Sequence, residues 1–125
     1  MVTYFILPLR FLWPSAFYCV LIAILILGLI PSVPKIADTG WDKTNHLLAF
    51  AVLAWLGCIS FPKRIIFLLL ALFAFGALIE ALQSLTPHRS AEWGDLLADG
   101  FGLFLGWLFV KIQFWVMNSL FVKGI

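Results

Sequence analysis

The chain is predicted to be all-α, a bundle of four transmembrane helices. Three observations carry that expectation. Hydrophobic residues make up 64% of the 125 and charged residues only 11%, whereas about a quarter of a soluble chain is charged. The mean hydropathy is +1.11. The apolar residues fall into four continuous runs without two-residue alternation, each close to the roughly 17–25 residues that cross a bilayer as a helix.

The runs cover 11–30, 45–61, 65–85 and 96–115, and together they read as one domain spanning 1–125. In the first, Pro14 sits in the opening turn, where proline is tolerated, with Pro8 before it. A cleaved signal peptide is the competing reading. Against it, the stretch exceeds the usual ~7–15 residues, its basic flank is only Arg10, and no Ala-x-Ala site follows. The second run is the weakest, being short and opening with Asn45 and His46. It also reads as a re-entrant segment, but with His46 near the interface the remainder can span. The third and fourth runs follow loops marked by Pro62 and Pro87, as the second follows Pro31 and Pro34. Trp13 and Trp115 are expected at one interface and Trp41 and Trp93 at the other, with Trp55 and Trp107 deeper and packed between helices. Cys19 and Cys58 lie about 12 and 5 Å from the inner ends of their helices at 1.5 Å per residue. That mismatch argues for two small buried hydrophobes and against a disulfide.

Orientation follows from the basic residues. An even number of spans puts both termini on one face together with the Pro62-Lys63-Arg64 turn. That face carries Arg10, Lys63, Arg64, Lys111 and Lys123 and no carboxylate. The termini are therefore expected in the cytoplasm of a cell with this protein in its inner (plasma) membrane. The other face carries Lys35, Lys43 and Arg89 with all six carboxylates, which fall between Asp38 and Asp99. A net charge of +2 offers no basis for a nucleic-acid partner. The positive pole suits anionic lipid at the inner leaflet.

The outward polar groups form a constellation. Asp42, His46 and Phe50 are spaced by four and share a helix face. Asp42 also suits an N-cap, and Lys43 suits an interfacial anchor whose ammonium reaches head groups. His46 lies a turn inside its apolar segment and caps nothing. Glu80 and Gln83 are i, i+3 neighbours, with Gly76 one turn below leaving room for another helix or a ligand. Glu80 is expected about 8 Å below the outer end of its helix, where a carboxylate is a functional-site hypothesis by default. A structural interhelical pair with His46 or Arg89 is the alternative. Asp95, Asp99, Gly102 and Gly106 form one stripe; the glycines admit a close helix neighbour, so the aspartates point into the bundle. Asp99 is about 6 Å deeper than Asp95. Ser90 and Glu92 read as an N-cap and a first-turn residue. His46, Glu80 and Asp99 thus come from three helices and reach a similar depth.

The pattern Asp42-Lys43-x-x-His46-x-x-x-Phe50, Glu80-x-x-Gln83, Arg89 and Asp95-x-x-x-Asp99-x-x-Gly102 resembles the VanZ-like membrane proteins. The resemblance covers the last three helices. It implies a small integral membrane protein of the bacterial cell envelope, associated with low-level resistance to the glycopeptide antibiotic teicoplanin, and it brings no biochemical mechanism. Where the family has asparagine, four residues after the aspartate of the last helix, this chain has Asp99. That places an additional negative charge in any inherited site.

Three functions fit these residues. In the first, the outward polar pocket binds an envelope lipid, a lipid-linked intermediate or a glycopeptide through Asp42, Lys43, Gln83, Arg89 and Asp95. In the second, the protein is an enzyme acting on a lipid-linked phosphate or glycolipid, with His46, Glu80 and Asp99 as acid–base residues and Arg89 and Lys43 holding phosphate. A divalent metal on His46, Glu80, Asp95 and Asp99 is a variant of this, but no His-Glu-x-x-His type of spacing supports it. No metal or cofactor is therefore assigned. In the third, the polar layer only locks helix packing.

Overall fold

The computed structural model describes residues 11–30, 42–85 and 93–124. These form four helices, and no strand occurs among the described residues: α1 (Leu12–Leu29), α2 (Asp42–Ser60), α3 (Ile65–Ser84) and α4 (Trp93–Lys123). The all-α four-helix architecture is the one expected. Helix ends follow proline chemistry. Ile30, directly before Pro31, turns extended at φ −74° and ψ 149°, because the proline ring disfavours helical geometry in the residue preceding it. α2 stops two residues before Pro62, and the Pro62-Lys63 turn closes with the Arg64 amide donating to the Phe61 carbonyl at 3.2 Å.

α2 is the inner helix. Between residues 43 and 60 only Leu48 and Val52 are exposed, and Phe50, Leu53, Ala54, Leu56 and Cys58 are core residues. Phe17 of α1, Leu72 and Ile79 of α3, and Leu103 and Val110 of α4 close around them. The outer faces of the other helices are apolar too, with Ile22, Ile66, Phe67, Leu97, Phe101 and Phe109 all exposed. An apolar surface this continuous marks contact with something other than water.

α1, α3 and α4 are long and apolar enough to cross a membrane. α2 is the exception by composition, because Asp42, Lys43, Asn45 and His46 occupy its first two turns. A helix enclosed by three others can carry those groups without presenting them to lipid.

Three boundaries, on two helices, differ from the sequence expectation by more than one residue. α2 begins at Asp42 instead of residue 45. α4 runs from Trp93 to Lys123, 31 residues, where 96–115 was expected. Nothing between Trp107 and Lys123 is proline or glycine, so no residue interrupts the helix before Gly124. At 1.5 Å per residue it is about 46 Å long, more than the ~30 Å hydrocarbon core. Trp55, expected deeper than Trp13, meets it edge to face with ring centroids 5.8 Å apart. Both thiols are free; Cys58 is buried, whereas Cys19 is exposed on α1 and not the buried hydrophobe expected.

Candidate functional site

Glycines bring three helices together at one end of the bundle. A Cβ on Gly102 would collide with the Leu47 carbonyl, and one on Gly106 with the Ala51 carbonyl, so α4 lies backbone to backbone against α2. That contact sets Asp99, one turn before Gly102, beside His46, the residue next to Leu47. On α3, Gly76 performs the matching role. A Cβ there would lie 2.6 Å from Asp99 Oδ2 and 3.2 Å from Phe50 Cζ. Its missing side chain is the space the Asp99 carboxylate occupies, and Glu80 stands one turn further along the same helix.

His46 is the centre of the site. Its Nδ1 lies 2.8 Å from Asp99 Oδ1 and its Nε2 3.7 Å from Glu80 Oε1. The side chains are 12%, 0% and 9% exposed for His46, Asp99 and Glu80. As a carboxylate, Asp99 can only accept, so Nδ1 carries the proton and Nε2 is left facing Glu80. The expectation that His46, Glu80 and Asp99 converge from three helices is met in this geometry. Such an arrangement can hold the polar part of a ligand by hydrogen bonds, and an imidazole oriented through Nδ1 can exchange a proton at Nε2.

The remaining candidates divide. Asp95 is buried on α4, one turn before Asp99. The Lys43 stem crosses the start of α4, with Cε 2.6 Å from where a Gly94 Cβ would stand. Gln83 is buried, and its Nε2 donates to the Gly28 carbonyl at 2.8 Å, tying α3 to α1. Asp42 opens α2, but its side chain lies outside the described residues, as do Arg89, Ser90, Glu92 and Trp41.

One polar contact escaped sequence reasoning. Trp55 Nε1 donates to Gln113 Oε1 at 3.0 Å, and the signal was available as a single amide in the last turns of an apolar run. Away from the polar site lies a cavity of about 470 Å³, lined by Phe17, Tyr18, Leu21, Phe67 and Leu72 with Arg64. Arg64 is beyond the far end of α2 from His46, so this apolar cavity and the polar site are separate features. Comparison of the chain with known protein families, curated proteins and solved structures finds no match.

Proposed function

We propose that this membrane protein binds the polar head of an envelope lipid or lipid-linked intermediate at the site formed by His46, Glu80 and Asp99. A glycopeptide presents similar hydroxyl and amide chemistry, and the resemblance to VanZ-like proteins extends the proposal to teicoplanin-type resistance. The observation that carries the reading is the part-buried His46–Asp99 contact at 2.8 Å with Glu80 alongside. Ionisable groups within an apolar bundle cost several kcal/mol unless they pair or serve a polar site. The glycine contacts bring α4 against α2 through backbone atoms, separately from this polar cluster.

The test is lipid retention. Protein purified gently from its native membrane is expected to carry a defined envelope lipid, identified by mass spectrometry. Glu80→Gln, which keeps shape and most hydrogen bonding, is expected to reduce that lipid at least about tenfold with helicity unchanged. An identical lipid complement in both proteins would remove the binding reading. A second, enzymatic reading is favoured by one observation, the imidazole held through Nδ1 with Nε2 directed at a carboxylate. Conversion of the retained lipid by purified protein, lost in Glu80→Gln, distinguishes it.

The orientation proposed with this function places both termini in the cytoplasm and the polar site at the outer leaflet of the inner membrane. It rests on the sequence alone, in which Arg10, Lys63, Arg64, Lys111 and Lys123 fall on the face expected to carry both termini, without a carboxylate. Cytoplasmic reporters fused to either terminus should be active, and a cysteine at Ser90 should react with an impermeant thiol reagent from outside. A terminus found outside reverses the orientation and moves the site to the inner leaflet.

A further inference from the structure

We propose that His46 and Glu80 hold a zinc ion, with Asp99 fixing the imidazole behind them. The proposal goes beyond the lipid reading and does not depend on it, since the ion alone is the ligand. One donor atom from each of His46, Glu80 and Asp99 lies within 4.8 Å of the other two.

Three further observations point to a cation. With Nδ1 donating to Asp99, the neutral ring presents a lone pair at Nε2. It faces Glu80 Oε1 across 3.7 Å, too far for a hydrogen bond. A zinc ion bound about 2.0–2.2 Å from a histidine nitrogen and a carboxylate oxygen spans that gap at roughly 125°, close to a tetrahedral angle. Magnesium, with octahedral bonds of about 2.0–2.1 Å, needs its adjacent donors nearer, at about 3 Å.

The second observation is Asp99, 0% exposed, whose Oδ1 lies 2.8 Å from Nδ1 and so holds the imidazole with Nε2 directed at Glu80. The third is charge. Glu80 and Asp99 are buried on the two sides of the imidazole. A divalent ion balances such a set, and in metal sites its own charge dominates the local electrostatics. The resulting order, carboxylate to imidazole to metal, is the arrangement in which a second carboxyl group orients a metal-binding histidine and raises its basicity. Two protein ligands leave two of the four tetrahedral positions, one more than a three-ligand catalytic zinc site leaves, for oxygens of a bound molecule or water.

The experiment uses tag-free full-length protein in detergent, stripped with a chelator and titrated with zinc alone. Bound metal is counted by elemental analysis, and affinity is measured by calorimetry. Wild type is expected to take up one zinc per chain. Glu80→Gln and His46→Gln should each weaken binding by more than 100-fold, and Asp99→Asn by about 10–100-fold, the usual effect of removing the group behind a metal-binding histidine. Helical circular dichroism identifies which variants fold. If His46→Gln does not, the ranking of Glu80→Gln below Asp99→Asn still decides. Wild-type protein that binds no zinc, or Glu80→Gln protein that binds it as tightly as wild type, overturns the proposal.

Discussion

Replacing Gly102 with alanine is expected to destabilise the bundle by an amount at or above the upper end of the ~1–3 kcal/mol typical of overpacking. A methyl group there would collide with the Leu47 carbonyl and lie 3.1 Å from the Ala51 nitrogen. Both are backbone atoms of α2 and cannot rotate aside, so the two helices must separate. Alanine in place of a helical glycine gains about 1 kcal/mol in propensity, which is too little to offset that separation. Gly100 supplies the control. A Cβ there meets only the Phe73 ring, at 3.3 Å, and Phe73 is exposed and able to shift. Gly100→Ala is therefore expected to be neutral or mildly stabilising. Thermal unfolding in detergent, followed by helical circular dichroism, checks both. Equal stability of Gly102→Ala and wild type would mean that α4 does not approach α2 through this face.

The second large effect is expected at Asp99. Asp99→Leu leaves the largely enclosed His46 without its hydrogen-bond acceptor on Nδ1, and breaking a buried pair from one side costs up to about 3–5 kcal/mol. His46→Leu strands Asp99 in the same way, with the carboxylate fully buried. The double variant removes both polar groups and is expected to recover most of the loss, because replacing a buried pair by packed hydrophobes is often neutral or stabilising. A double-mutant cycle measured by unfolding in detergent gives the coupling. Additive losses would show that His46 and Asp99 do not depend on one another. Recovered stability in the double variant together with lost lipid retention would separate the fold from the function, since α2 and α4 would still pack through Gly102 and Gly106.

The convergence of His46, Glu80 and Asp99 is legible in the sequence because these residues are conspicuous. In a chain with so few charges, His46, Glu80 and Asp99 stand out from their apolar runs, and counting 1.5 Å per residue places them at similar depths. The glycine stripe pointed Asp99 inward for a physical reason: close backbone contact needs small residues. Gln83 was grouped with the site by its i, i+3 spacing from Glu80, yet its amide reaches Gly28 on α1. Spacing along one helix says which residues share a face but not which neighbour that face meets. Apolar content alone ends the fourth run at 115, whereas α4 continues to Lys123. A helix ends where its backbone is interrupted, and no proline or glycine does so before Gly124.

The sequence by itself determined that the chain is helical and apolar, where its proline-marked loops fall, and which polar residues lie near one level. Continuous apolar runs between prolines allow little else, since backbone groups away from water must be satisfied within each helix. Folding decided that α2 lies inside, that His46 joins Asp99 through Nδ1 while facing Glu80 through Nε2, and that Gly76 gives the Asp99 carboxylate its space. Helices that are apolar on every face carry no periodic signal for choosing partners. Their arrangement comes from where backbones can approach, and that depends on two helices at once.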